Sequence, residues 1–300
     1  MSRIHEALKK AEQERAASQG IQGESAPTGM PPVMEQTIPA GEAGAAVAPV
    51  FSAQFTFDTL LARCTESNWN PDRNTMLFFN SQENVRGMEE FRTLRSRLYQ
   101  LREKMPLKKL LITSPLPKEG KSFVAANLAQ VLVKQHGRRI LLVDGDVREP
   151  KLHQALGARR TPGLSEYLMS ENDEFSVIQR GPMENLFFIP AGRQVPSPAE
   201  LVANGRLKFL LSRVEPLFDW IIIDSPPAVP VADASLLANF CDGVLIVVRS
   251  SVTPFDVARK ARLEFREKQM VGVVLNGVDK SAAYSQYYYY DSSRDGKGAS

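Results

Sequence analysis

The sequence predicts an α/β fold: a mainly parallel central sheet flanked by helices on both faces. Two observations carry this expectation. From residue 84 onward, short apolar runs such as KKLLIT, RRILLVD, DWIIID and GVLIVVR alternate with segments like FVAANLAQVLVKQ, whose apolar residues recur at helical spacing. Near-continuous apolar runs also mark strands buried on both faces, the condition of a parallel sheet whose crossover helices cover each side. Strands are expected near 108–114, 139–144, 186–190, 219–224, 243–249 and 271–276.

The elements follow in chain order. Residues 2–16 form an amphipathic helix candidate with Ile4, Leu8 and Ala11 on one face. Such a helix is marginal alone and reads equally as a docking peptide or a solvated helix. Residues 17–50, rich in Gly, Pro, Ala and Glu without periodicity, read as a flexible linker. Residues 51–83 are ambiguous, with FSAQFTF and MLFF suited to an arm that packs on the following domain. That domain spans 84–281. Its first helix, near 86–103, carries Glu89, Arg92 and Arg95 at three-residue intervals, which brings them to roughly one face. Residues 282–300 form a polar tail holding Tyr284, Tyr287, Tyr288, Tyr289 and Tyr290, five of the seven tyrosines of the chain. Aromatic rings leave water to gain burial energy, and a flexible tail offers little of that. The cluster therefore calls for a function or for an anchoring role as a terminal strand or interface.

Composition narrows the class. A 43% hydrophobic and 24% charged chain of 300 residues is near the globular average and can support a core without staples. The net charge of +3 does not suggest a nucleic-acid partner. Cys64 and Cys241 imply no disulfide framework. No stretch approaches the roughly 20 apolar residues of a membrane span, and MSRIHEALKKAEQER is charged throughout, unlike a signal peptide. A cytoplasmic enzyme is the expectation.

Chemistry concentrates at residues 113–128, TSPLPKEGKSFVAANL, where a strand end runs through Gly120-Lys121-Ser122 into a helix. Free backbone N–H groups and the helix dipole make such a turn a phosphate cradle. The loop Pro117, Lys118, Glu119, Gly120, Lys121, Ser122 and Phe123 would surround a nucleotide. Lys121 would reach the β/γ-phosphates of ATP, and the Ser122 hydroxyl would hold Mg²⁺. The usual G-x-x-x-x-G-K-[ST] pattern has glycine where this chain has Pro115. Two further strands end in acids: RRILLVDGDVREP in Asp144, Asp146 and Arg148, and DWIIIDSPP in Asp224. Ligands of open α/β sheets bind at the C-terminal ends of the strands, and Mg²⁺ takes one or two carboxylates there beside phosphate and water. Any one acid alone is easily a turn or capping aspartate. Together with the GKS turn they predict a P-loop NTPase.

SPLPKEGKS, LLVDGDVR and IIIDSPP resemble, in order and spacing, the Walker A, A′ and B motifs of the bacterial tyrosine kinases. These are the P-loop autokinases of polysaccharide export (the CpsD/CapB/Wzc-like family). The resemblance covers roughly residues 84–290 and includes EEFRTLRSRL, GLSEYL, IPAGRQVPSPAELV, VPVADASLLA and GVVLNGV; Pro196-Ser197-Pro198 stands where the family commonly has Pro-Asn-Pro. The resemblance implies a protein-tyrosine kinase that uses ATP and Mg²⁺ and autophosphorylates its tyrosine cluster in trans. It also implies that Glu89-x-x-Arg92-x-x-Arg95 is the signature joining subunits into a homo-oligomeric ring. A separate membrane protein of polysaccharide co-polymerase type would activate the kinase and hold it at the inner face of the membrane, and a tyrosine phosphatase would reverse the modification.

In this reading Asp146 and Asp224 bind the metal, and Asp144 orients or deprotonates the tyrosine hydroxyl, with the division between Asp144 and Asp146 open. Arg148 contacts phosphate or the tail. Arg249 and Asn276, at later strand ends, touch the nucleotide base or serve the structure. Two other readings remain. A ParA/MinD-type positioning ATPase shares the fold, but its signature lysine would fall at residue 116, which is Leu116 here. A silent assembly protein holding nucleotide as a structural ligand would not need the intact Lys121, Ser122, Asp144, Asp146 and Asp224.

Overall fold

The computed structural model describes residues 55–79 and 87–279, all in the second of two units into which the chain divides, Phe51–Ser300. The expected helix at 2–16, the linker at 17–50 and the tyrosine-bearing tail lie outside the described residues.

One eight-stranded sheet organises this unit. Its strands are β1 (Thr65–Glu66), β2 (Lys109–Thr113), β3 (Ile140–Asp144), β4 (Gln179–Arg180), β5 (Leu186–Ile189), β6 (Trp220–Asp224), β7 (Gly243–Arg249) and β8 (Met270–Asn276). Their order is β1-β4-β5-β3-β6-β2-β7-β8. From β5 to β8 every neighbouring pair is parallel, and β4 runs antiparallel to β5. The six strands expected from the apolar runs are all present. The two-residue strands β1 and β4 are too short for any periodic signal.

Alternation along the buried strands sends side chains to two separate cores. Leu111, Leu141, Val143, Ile221, Ile223, Ile246 and Val248 join one; Leu110, Ile112, Ile140, Leu142, Ile222, Leu245 and Val247 join the other. The second core is covered by α2 (Met88–Arg102), through Met88, Phe91 and Leu98, and by α3 (Lys121–Val133). The first is covered by α8 (Arg206–Val214), α9 (Asp233–Ala238) and α10 (Phe255–Glu264). Shorter helices lie between: α4 (Leu152–Leu156), α5 (Leu164–Leu168), α6 (Glu174–Val177) and α7 (Pro198–Ala203).

The segment of residues 55–79 is built into this architecture. Helix α1 (Phe57–Arg63) sends Leu60 into the first core, β1 adds a strand to the sheet edge, and Trp69, Met76, Leu77 and Phe78 fill the second core. Its grip on α3 is polar. Asn127 and Gln130 are fully buried on α3, and a buried amide without partners is costly. The arm supplies the partners: Leu77 N–H donates to Asn127 Oδ1 at 2.8 Å, Phe78 N–H to Gln130 Oε1 at 3.1 Å, and Asn127 Nδ2 donates to the Thr75 carbonyl at 2.8 Å.

Candidate active site

The site begins where β2 ends. Thr113 closes the strand, and the chain passes through Ser114–Gly120 into α3, whose first residue is Lys121. The turn needs two left-handed residues, Lys118 at φ 65° and Gly120 at φ 95°. Glycine suits 120 for a further reason: a Cβ there would stand 2.0 Å from Asn276 Nδ2 and displace that side chain. Pro117 and Lys118 are exposed, Ser122 and Phe123 are half-buried, and the Phe123 ring packs edge-on against Phe91 of α2 at 5.8 Å.

Parallel register brings the acids to the same level. Asp144 at the end of β3 lies directly opposite Asp224 at the end of β6, and Asp224 lies opposite Ile112 one residue before the end of β2. Gly145 lets the two turns meet: its N–H donates to the Asp224 carbonyl at 2.8 Å, and a Cβ there would be 2.7 Å from that oxygen. Lys121 Nζ donates to Asp146 Oδ2 at 2.8 Å, with both side chains nearly buried. The other Asp146 oxygen accepts the Glu149 N–H at 3.0 Å. Asp144 accepts the N–H groups of Asp146 and Leu152 at 3.2 and 3.3 Å.

Asp224 is different. It is fully buried, and neither carboxylate oxygen has a hydrogen-bond partner among the described residues. Burial pushes its pKa up to about 6 against the pull of Lys121; the nearby Ser122 hydroxyl also lowers it, without closing a well-formed hydrogen bond. Burial, then the charges of Asp224 and Asp146, raise Asp144 well above the usual carboxylate range. Burial works against the Lys121 charge, yet Asp224, Asp146 and Asp144 outweigh it and its pKa rises. A buried carboxylate with two unused oxygens beside a half-buried hydroxyl is a set of hard oxygen donors, which suits Mg²⁺. Ser122 and Asp224 therefore fit the metal that the motif implies, and Asp146 would join them by giving up its contact with Lys121.

The remaining expected residues have other partners. Arg249 Nη1 donates to the Lys118 carbonyl at 3.2 Å and Asn276 Nδ2 to the Glu119 carbonyl at 2.9 Å, so both reach the loop backbone. Arg148 makes a two-point contact with the buried Asp233 at 2.7 and 3.0 Å. On α2, Glu89 pairs with Arg92, while Arg95 Nη1 donates to the Val131 carbonyl in the last turn of α3 at 3.0 Å. Sequence reasoning passed over Thr253, which binds the Glu119 carboxylate, and Asp233. Each partner lies 85 or more residues away, so no local pattern marks either.

A glycine turn at the head of α3, with three acids on adjacent strand ends, defines a P-loop NTPase. An AAA domain family model matches residues 119–256. The structure of MinD from Pyrococcus horikoshii is similar at TM-score 0.50 and 21% identity, covering 59% of this chain and 76% of that one, a likeness of fold alone. Tyrosine-protein kinase YwqD of Bacillus subtilis is 35% identical over 67% of this chain and 85% of its own length. The kinase domain of Escherichia coli tyrosine kinase ETK matches at TM-score 0.61 and 30% identity, covering 64% of this chain and 75% of that one. The chain belongs to the bacterial tyrosine-protein kinases. It spans most of YwqD but only 28% of the EpsB protein of Ralstonia nicotianae, at 34% identity over 70% of this chain.

Proposed function

We propose that this kinase is an ATP-dependent autokinase that phosphorylates Tyr284, Tyr287, Tyr288, Tyr289 and Tyr290 of a neighbouring subunit and thereby regulates polysaccharide polymerisation and export. One observation carries the catalytic part: the lysine–carboxylate cluster of Lys121, Asp144, Asp146 and Asp224 at the mouth of the phosphate loop. Phosphoryl transfer is mostly positioning and charge stabilisation. Lys121 exchanges its contact with Asp146 for the β/γ-phosphate oxygens. Ser122, Asp224 and Asp146 would hold Mg²⁺, which would supply further positive charge to the phosphates. Tyrosine ionises near pH 10, so a carboxylate that takes its proton helps the attack. Asp144, at the strand end opposite Asp224, or Asp146 two residues on would take that proton.

Export, ring assembly through Glu89, Arg92 and Arg95, a membrane activator and an opposing phosphatase are supported by the motif resemblance. The similarity to the chimerical protein CapA2B2, at TM-score 0.64 and 29% identity over 74% of this chain and 97% of that one, is compatible with a two-component arrangement. No helix among the described residues is long and apolar enough to cross a membrane. Lys121→Met should abolish phosphotyrosine formation on incubation with ATP and Mg²⁺ while circular dichroism stays native. Retained phosphotyrosine in the purified variant would overturn the assignment.

A further inference from the structure

The phosphate loop is braced by a polar latch from a distant part of the chain. The Glu119 side chain is buried, and its two oxygens have separate duties. Oε2 accepts the Leu116 N–H at 2.7 Å, closing the loop on itself. Oε1 takes the hydroxyl of Thr253, from the turn between β7 and α10, and that hydroxyl oxygen in turn accepts the Arg249 N–H at 3.2 Å. Two more donors from the same region grip the backbone: Arg249 Nη1 on the Lys118 carbonyl and Asn276 Nδ2 on the Glu119 carbonyl.

The consequence follows from peptide geometry. In a trans peptide the C=O and N–H point to opposite sides of the chain. Fixing the carbonyls of residues 118 and 119 toward Arg249 and Asn276 turns the N–H groups of Glu119 and Gly120 the other way. Neither N–H donates to an acceptor among the described residues. A loop with left-handed backbone at both Lys118 and Gly120 would not keep that orientation unaided, since a non-glycine residue there is strained.

We propose that Glu119 and Thr253, with Arg249 and Asn276, are positioning residues that hold the phosphate loop open and aim its N–H groups before nucleotide arrives. Glu119 then acts through the loop and carries no contact to phosphate, and Arg249 and Asn276 serve the loop backbone, not the base. This rests on the nucleotide-binding reading of the loop. Preorganisation favours binding, so its loss raises KM and Kd more than it lowers kcat.

The test uses the full chain with a fluorescent ATP analogue and Mg²⁺, together with autophosphorylation kinetics. Thr253→Val and Glu119→Ala should each weaken nucleotide binding about tenfold, the worth of one or two hydrogen bonds, with kcat at saturating ATP changed less than KM. The double variant should bind no more weakly than the worse single one, because both cut the same link. Glu119→Gln should bind nearly as wild type, since a flipped amide can accept from Leu116 and donate to Thr253. Thr253→Ser keeps the hydroxyl and should do the same. Wild-type affinity in Thr253→Val and Glu119→Ala would overturn the latch. So would a Glu119→Gln as weak as Glu119→Ala, which would place the charge itself on the ligand, or a Thr253→Ser as weak as Thr253→Val, which would make the defect one of packing. A wild-type chain that fails to bind the analogue refutes the nucleotide reading instead, so the two failures are distinguishable.

Discussion

Asp224 is held at a cost that the apo protein bears for function. Its pKa rises from the ordinary 3.8 to about 6 on folding, chiefly through burial. The sign follows from linkage: an acid whose folded pKa is raised binds its proton more tightly in the native state. Stability is unaffected below the unfolded value, falls as pH rises from about 4 to 6, and stays reduced above. Asp224→Asn should therefore raise the unfolding free energy of the nucleotide- and metal-free protein at pH 7.5, by an amount on the order of 1–3 kcal/mol, while removing kinase activity. Urea melts at pH 7.5 and near pH 4 check this: the gain should vanish at the acid pH. An equal difference at both would mean that the substitution acts through packing rather than charge.

Helix α3 does two jobs at once. Its first turn faces the phosphate site, and its second and third turns carry Asn127 and Gln130, which clamp the arm. Asn127→Leu would leave the Leu77 N–H and Thr75 carbonyl without their buried partner. The expected cost is about 2–3 kcal/mol, and the loss should be local: faster hydrogen exchange over residues 75–78 with protection retained in β2, β3 and β6. Unchanged exchange in the arm would show that its apolar anchors, Trp69, Met76 and Phe78, suffice. The neighbouring α2 is tied to α3 as well, since Arg95 holds the Val131 carbonyl. Of the three charges proposed for assembly, Arg95 is thus already committed within the subunit, and the Glu89–Arg92 pair is the more exposed portion.

At the scale of the whole molecule, the tail and the assembly form one proposed switch. An unphosphorylated tail seated in a neighbour's site links subunits. Each phosphate adds about −1.5 to −2 charges near pH 7, which repel one another and Asp144, Asp146 and Asp224, so the modified tail should leave and the ring loosen. The comparison is the mass by light scattering of wild type and a variant with Tyr284, Tyr287, Tyr288, Tyr289 and Tyr290 all replaced by Phe, before and after ATP and Mg²⁺. Wild type should dissociate while the all-Phe chain stays assembled; an identical response would remove the tail from the mechanism.

By itself the sequence determined the parallel α/β core and the phosphate loop. Both are written in contiguous residues: a fully buried strand is apolar throughout, and here the helix that faces the phosphate site opens on a glycine turn with lysine and serine. The acids were legible for the same reason, standing at the ends of apolar runs such as LLVD and IIID. Tertiary structure alone decided the rest. Register set Asp144 against Asp224 and left the latter without a hydrogen-bond partner among the described residues; folding across more than 130 residues brought Thr253 to Glu119. It also decided that the arm, ambiguous as sequence, would serve both cores: Phe55 and Phe57 pack against the first, and Met76, Leu77 and Phe78 fill the second. The second group is tied to buried amides on α3, and an amide's need for a partner is felt only after the chain has closed around it.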